Sequence, residues 1–250
     1  MTKYRIQIAN QVATINTVSE NIRNVCKDYL TRRESEFSVN ITQEDIAFER
    51  NKAMREDTLE RLPVRNLSDT QLEFTAIQRK ITEEFFSRNI LLFHGSVIAV
   101  DGRAYLFTAK SGTGKSTHTR LWRELLGDWA VMVNDDKPFL QMTEDGVVAW
   151  GSPWNGKHRL GNNIGVPLKA ICILERGTDN RIRRIAPAEA LPMLFQQSSR
   201  PMDPAKMPLY LDMIDKLTKR VEFYRLQCNM DPEAALVSYE AMSRERKDDR

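Results

Sequence analysis

Residues 109–117 of the sequence read AKSGTGKST, a glycine-rich segment between a strand pattern and a helix pattern. Gly112 and Gly114 allow the tight backbone turns that bring several N–H groups onto one anion. Lys115 can reach the β- and γ-phosphates of a nucleotide, and the Ser116 hydroxyl can bind the accompanying magnesium ion. We therefore predict a phosphate-binding loop with ATP and Mg²⁺ as cofactors. The predicted nucleotide-binding residues are Ser111, Gly112, Thr113, Gly114, Lys115, Ser116 and Thr117.

The loop departs from the usual pattern at its first position, where Ala109 replaces a glycine. The alternative interpretation is a turn between a strand and a helix that binds nothing. The surrounding sequence favours the loop, because an apolar strand pattern precedes it and helical spacing follows it.

Two adjacent carboxylates, Asp135 and Asp136, follow the apolar residues 130–133. In a phosphate-transfer site one carboxylate can hold Mg²⁺ and the other can accept the proton of the attacking hydroxyl. The alternative is a polar turn in which Pro138 ends the strand. We favour the catalytic interpretation because the pair lies about 20 residues after Lys115 and the two motifs together form a recognisable catalytic constellation.

The rest of the chain alternates between strand and helix patterns. We predict an α/β (α+β) fold, in which a mixed β-sheet with flanking helices follows a small N-terminal α+β layer. The layer occupies residues 1–88 and the ATP-binding catalytic domain residues 89–250. The predicted strands are 91–100, 104–108, 130–133, 147–150, 168–174 and 221–226, and the predicted helices are 69–88, 116–126, 187–197 and 204–220, with a last helix after Pro232.

The sequence resembles the HPr kinase/phosphorylase family and its kinase-like relatives. The resemblance lies in His94-Gly95 ahead of the loop, the loop itself, and the paired aspartates after the next strand. The sequence is also similar to the nucleotide core of phosphoenolpyruvate carboxykinase, which has a Ser-Gly-Thr-Gly-Lys loop. The resemblance covers residues 91–140 and implies an HPr-kinase/carboxykinase-like P-loop core.

The resemblance also implies roles for individual residues. Lys115 and Ser116 bind phosphate and Mg²⁺, and Lys115 is counted with the catalytic residues. Asp135 is the base toward a serine hydroxyl, Asp136 is the metal ligand, and His94 assists Asp135. The roles of the two aspartates can be exchanged at this stage. The family likeness further implies a homo-oligomer.

A loop over residues 150–159 combines Gly, Pro and Trp with three consecutive cationic side chains, Lys157, His158 and Arg159. These residues could contact the substrate or the nucleotide, and Trp154 could offer a flat surface. The alternative is a surface loop anchored by a buried Trp154. His118 follows Lys115 on the same helix face, and we interpret it as a packed or exposed helix residue rather than a ligand.

The composition excludes several classes of protein. The formal net charge of the 250 residues is only +3, which argues against a nucleic-acid partner. No long apolar run predicts a membrane span and no apolar leader begins the chain, so we expect a cytoplasmic protein. The three cysteines follow neither metal-site nor disulfide spacing.

The predicted function is an ATP-dependent kinase that transfers the γ-phosphate to a hydroxyl, with a protein or peptide serine as acceptor. Two alternatives remain open at the level of sequence. One is a nucleotide-binding regulatory module without transfer, and the other is a kinase for a small molecule such as free serine or an organic acid.

Overall fold

The computed structural model describes residues 2–61 and 63–244. The chain divides into two compact units, Met1–Phe85 and Phe86–Arg250, here called the N-terminal and C-terminal units. No helix in the described ranges is both long enough and apolar enough to cross a membrane.

The N-terminal unit contains a three-stranded sheet and three helices. Strands β1 and β2 form an antiparallel hairpin, and β3 pairs parallel to β2. Ala9 and Asn10 both have positive φ, as a two-residue hairpin turn requires. Capping boxes begin α2 and α3, with Thr42–Asp45 and Ser68–Gln71 as the reciprocal pairs. The elements are β1 (Thr2–Ile8), β2 (Gln11–Thr17), α1 (Asn21–Val25), β3 (Phe37–Asn40), α2 (Gln43–Leu59) and α3 (Asp69–Phe85).

The C-terminal unit is a mixed nine-stranded sheet with helices on both faces. Its elements are β4 (Ile90–Leu92), β5 (Ser96–Val100), β6 (Arg103–Thr108), α4 (Lys115–Leu126), β7 (Val131–Asn134), β8 (Phe139–Met142), β9 (Val147–Trp150), β10 (Gly165–Arg176), β11 (Arg181–Arg184), α5 (Pro187–Gln197), α6 (Met207–Arg220), β12 (Glu222–Cys228) and α7 (Glu233–Ser243). With the three helices of the N-terminal unit, the described residues form a mixed α and β protein with seven helices, as the predicted fold class states in outline.

Alternating side chains of β6 show how the sheet is covered on both faces. Ala104 and Leu106 lie in a core cluster with residues of α5 and α6. Tyr105 and Phe107 lie in a second cluster with residues of α4 and α7. Because successive strand residues point to opposite faces, both faces of β6 are apolar.

The strand directions bring several connections to one edge of the sheet. Strands β6 and β7 each run antiparallel to β5, so they are parallel to each other. Strand β10 is parallel to both β6 and β12. The carboxyl ends of these four strands therefore meet at one edge, where α/β folds bind ligands.

The sheet differs from the predicted strand pattern in three places. The predicted strand 91–100 is two strands, because β4 pairs with β8 whereas β5 pairs with β6 and β7, and His94-Gly95 lies at the break. Strands β8 and β11 were not predicted. Strand β11 has three arginines among its four residues and no apolar alternation, and β8 directly follows Pro138, which was interpreted as ending a strand.

Candidate functional site

The loop between β6 and α4 has the backbone conformation that its glycines permit. Gly112 has φ of 75° and Gly114 has φ of 122°. Within the described chain no side chain caps the N-terminus of α4, which begins at Lys115. The N–H groups of the first helical turn have no partner inside the helix, so they can donate to an anion placed there.

Lys115 is buried although its side chain is charged. Its Nζ donates to the carbonyl of Ala109 at 3.2 Å, across the loop. Burial lowers the pKa of Lys115, and the nearby Asp136 carboxylate partly offsets this effect. The ammonium group is thus held inside the loop, where it can meet a phosphate oxygen in place of the carbonyl.

Arg176, at the end of β10, holds the same loop from its other side. Its Nη2 donates to the carbonyl of Gly112 at 2.6 Å. No local pattern in residues 175–177 indicates that Arg176 contacts a loop 64 residues earlier in the chain. Glu175 itself forms an ion pair with Arg225.

Asp135 is 4% exposed and lies at the end of β7. The N–H of Gly156 donates to its Oδ1 at 2.7 Å, whereas its Oδ2 is buried with no hydrogen-bond partner among the described residues. Burial raises the pKa of Asp135, and backbone N–H groups of Gly156 and Leu160 oppose the shift. A Cβ at residue 156 would stand 3.0 Å from Oδ2, so only glycine fits against this carboxylate without displacing it.

Asp136 is paired with His94, whose Nε2 lies 3.2 Å from its Oδ1. Burial acts to raise the pKa of Asp136, but the hydrogen bond with His94 and the charges of Lys137 and Lys115 hold it below its usual value. The resemblance to the kinase family implied that His94 assists Asp135. In the structure its contact is with Asp136 instead, because Asp135 turns toward Gly156.

The break between β4 and β5 fixes the position of His94. Its N–H donates to the carbonyl of Gln197 at 2.7 Å, and its own carbonyl accepts from the Thr108 hydroxyl at 3.0 Å. The N–H of Gly95 donates to the carbonyl of Asp136 at 3.0 Å. The His-Gly pair therefore ties the aspartate turn to the end of β6.

Asn134 is fully buried and organises the turn that carries both aspartates. Its Oδ1 accepts from the N–H groups of Asp136 and Lys137 at 2.9 and 2.6 Å. Its Nδ2 donates to the Ser152 carbonyl and to Asn155 Oδ1, each at 3.1 Å. The polar-turn interpretation of this segment is thus correct in geometry, and it is compatible with a catalytic role because the turn holds both carboxylates.

Two cavities lie on the two sides of α4. The first, here called the apolar cavity, has a volume of about 510 Å³. Leu121, Leu174 and Met230 supply its apolar lining, and Arg176 and the loop glycines form its polar end. The second, here called the basic cavity, has a volume of about 390 Å³ and contains Ser116, Asp135, Arg120, Arg123 and His158. Thr117 lines both cavities.

Two of the three cationic residues in the loop 150–159 line the basic cavity or the cavity next to it. His158 lines the basic cavity, and Arg159 lines an adjoining one. Lys157 is exposed. Trp154 is 6% exposed and packs edge-on against Phe139, so it anchors the loop and does not offer a flat surface to a ligand.

Ser111, Thr113 and Ser116 accompany the glycines at the same edge, and Ser116 and Thr117 lie in the first turn of α4. His118 is packed rather than exposed, with its Nε2 3.0 Å from the Ser238 hydroxyl of α7, and it also lines the apolar cavity. No group of three or more His, Cys, Asp or Glu that could hold a metal lies in the described ranges. Magnesium needs fewer protein ligands than this, because it keeps water and substrate phosphates in its shell.

The comparisons with known proteins give a match to a protein family and matches among solved structures. No curated protein matches the chain. Among solved structures, the Hpr(Ser) kinase/phosphatase from Coxiella burnetii is similar, with 11% identity and a TM-score of 0.36. The alignment covers 60% of this chain and 95% of that one.

The family comparison covers more of the chain. Residues 64–235, well over half of the sequence, match the family described as "SynChlorMet cassette protein ScmC". This chain therefore belongs to the ScmC family of SynChlorMet cassette proteins.

Proposed function

We propose that the C-terminal unit binds ATP with Mg²⁺ and transfers the γ-phosphate to a hydroxyl group, with a serine side chain as the acceptor. The observation that carries the proposal is the convergence, at one edge of the sheet, of the glycine loop, Lys115 and the two aspartates. The glycine loop and Lys115 belong to the connection between β6 and α4, whereas both aspartates follow β7. Together they supply an anion site, a cation for phosphate, and two carboxylates for the metal and the proton.

The residues fit such a nucleotide. The two glycines with positive φ have open space where a Cβ would stand, so a phosphate chain can approach the backbone. The uncapped N-terminus of α4 favours negative charge. The apolar cavity has the size of a small-molecule site and begins at the same loop, so we assign it to the nucleoside.

Each carboxylate has an environment that suits one role. Asp136, beside His94 and Lys115 with a lowered pKa, stays ionised and would hold Mg²⁺, which would supply positive charge to neutralise the phosphates. Asp135, with a raised pKa and a buried Oδ2 without a partner in the described chain, is assigned as the proton acceptor for the attacking hydroxyl. His94 orients Asp136 through its hydrogen bond.

A thermal-shift experiment tests the nucleotide site. ATP with Mg²⁺ at about a hundred times its Kd stabilises the folded parent by about 2.7 kcal/mol, since it binds only the native state. Lys115→Ala should abolish most of this stabilisation, because the phosphate chain loses its lysine. Lys110→Ala is the matched control, since Lys110 is an exposed lysine of the same loop. Unchanged stabilisation of Lys115→Ala would remove the loop from the proposal.

The alternatives predict different results in the same assays. A regulatory module would be stabilised by ATP but would form no phosphorylated product with any acceptor. A small-molecule kinase would transfer label from ATP to free serine or an organic acid rather than to a polypeptide. The two aspartates favour transfer, because a module that only binds nucleotide does not need a base next to the phosphates.

A further inference from the structure

The basic cavity carries more positive charge than a nucleotide alone requires. Arg120, Arg123 and His158 line it together with Ser116 and Asp135. An adjoining cavity of about 580 Å³ shares Arg123 and adds Arg159, with Asp128 as its only acidic lining residue. A continuous surface of up to four cationic groups thus begins beside the proposed base.

Not all of these cations are already neutralised by the protein. Arg120 forms an ion pair with Glu124 on the same helix, with both side chains more than half exposed. For Arg123, His158 and Arg159, the described chain provides no ion-pair partner. Arg159 also has a positive φ of 50°, a conformation that non-glycine residues adopt at a cost. Uncompensated cations lining a cavity point to an anionic ligand.

The position of the arginines separates this ligand from the phosphates of ATP. The first turn of α4 and the glycine loop would bind the phosphate chain. Arg120 and Arg123 lie farther along the helix, about 8 and 12 Å from Lys115 at the usual rise per residue. The apolar cavity on the opposite side accounts for the nucleoside. The remaining position, next to Asp135, is that of the acceptor.

We propose that the basic cavity binds the acceptor as a polypeptide segment in which acidic side chains flank the reactive serine. The inference rests on the proposed function. The distance from Lys115 to Arg123, about 12 Å, corresponds to about four residues of extended chain, so the acidic residues lie within about four positions of the serine.

The transfer step then has a defined balance. The serine oxygen uses a lone pair to form a bond to the γ-phosphorus, and the bond from that phosphorus to the bridging oxygen breaks. The electron pair of the broken bond leaves with ADP. The hydroxyl proton passes to the Asp135 carboxylate, while the arginines hold the acidic side chains on either side of the serine.

Fluorescence anisotropy with short labelled peptides tests the inference. One set contains a central Ser with Glu at flanking positions, and the matched set has Gln in place of each Glu. Binding is measured with the full-length protein in the presence of ADP and Mg²⁺. For the parent we expect the Glu peptides to bind about tenfold more tightly, because two or three partly exposed ion pairs together contribute about that factor. High salt should reduce the difference.

Substitutions test whether the residues of the two basic cavities cause the tighter binding of the Glu peptides. The double variant Arg123→Gln, Arg159→Gln should lose most of the tenfold difference. The control variant Arg103→Gln, Lys219→Gln removes the same charge and should keep the difference, since Arg103 begins β6 and Lys219 lies just before β12, at the opposite edge of the sheet. Equal binding of the Glu and Gln peptides to the parent would overturn the inference, and so would a preference that survives in the double variant.

Free serine is included as a competitor, because its own carboxylate is also an anion. If it displaces the Glu peptide at comparable concentration, the polypeptide assignment is wrong. ATP-dependent stabilisation of parent and variants is measured in parallel. Intact stabilisation with no peptide preference refutes the acidic acceptor alone, whereas absent stabilisation in the parent refutes the nucleotide site itself.

Discussion

Asp135 combines burial with charge in a way that a purely structural residue avoids. One carboxylate oxygen accepts the N–H of Gly156, but the other has no partner within the described residues and almost no contact with solvent. A buried acceptor without a partner lowers stability, and native proteins keep such groups chiefly where a ligand or a reaction uses them. The loss of stability expected from the buried Oδ2 of Asp135 is therefore consistent with the assignment of this residue as the base.

The substitution Asp135→Asn tests both aspects. The pKa of Asp135 is raised, so the folded protein holds the proton of this carboxyl group more tightly than the unfolded chain does. At pH values above the ordinary pKa of 3.8, ionisation of Asp135 therefore lowers the stability of the folded protein. At pH 7 the Asn variant should therefore be at least as stable as the parent, retain ATP-dependent stabilisation, and lose about a hundredfold or more in phosphate transfer.

Urea unfolding and a product assay check this outcome. The stability gain should shrink as the pH falls toward 3.8, because the parent carboxylate becomes neutral as well. Transfer by the Asn variant at the parent rate would show that Asp135 is not the base. A large loss of stability at pH 7 would show that its charge is structural.

The first turn of helix α4 forms part of the candidate site, and the rest of the helix packs in the core. Its first turn faces the glycine loop, and Trp122 packs against Phe107 and Tyr105 of β6. On the side of α7, the Ser238 hydroxyl lies within hydrogen-bond distance of both His118 Nε2 and Trp122 Nε1. His118 Nδ1 is buried with no partner in the described chain, so a second proton on the ring would be an unsatisfied donor.

This contact predicts a pH dependence of stability. Burial lowers the pKa of His118 to about 4, from an ordinary value of 6.5. Between these values the unfolded chain binds the additional proton, so the stability is fully present above pH 6.5 and is lost as the pH falls toward 4. The loss attributable to His118 should be on the order of 3 kcal/mol.

Urea unfolding at pH 7 and at lower pH measures this loss. His118→Gln keeps a donor near Ser238 but does not titrate, so its stability should fall less than that of the parent. His158→Gln, at an exposed histidine, should follow the parent. An identical fall in the parent and in His118→Gln would contradict the assignment.

At the scale of the C-terminal unit, the site exists because distant segments share one sheet edge. The glycine loop follows β6, the aspartates follow β7, and Arg176 ends β10. Residues 229–230 follow β12 and close the apolar cavity. These connections are separated by up to about 120 residues in sequence, so none of them forms the site locally.

Hydrogen exchange tests this arrangement. Binding of ATP with Mg²⁺ should slow exchange in residues 110–117, 135–136, 176–177 and 229–230 together, because all of them border the proposed nucleotide site. The turn between β8 and β9, around Gly146, should be unchanged, since it makes no part of that edge. Protection confined to 110–117 would contradict a site built from four connections.

The features of this protein that depend on neighbouring residues could be predicted from its sequence. The turn at Gly112 and Gly114 and most of the helices were predicted, because turn residues and helical spacing act over a few residues. The paired aspartates were also found at the end of their strand. The roles of the site residues stay predictions until the experiments above are done.

The contacts between distant side chains could not be predicted from the sequence and are seen in the tertiary structure. His94 contacts Asp136 rather than Asp135, Arg176 donates to the Gly112 carbonyl, and Arg123 and His158 line the same cavity. It also split the apolar run 91–100 between two strand pairings. The physical reason is that strand order and direction depend on packing across the whole sheet, which no short stretch of sequence encodes.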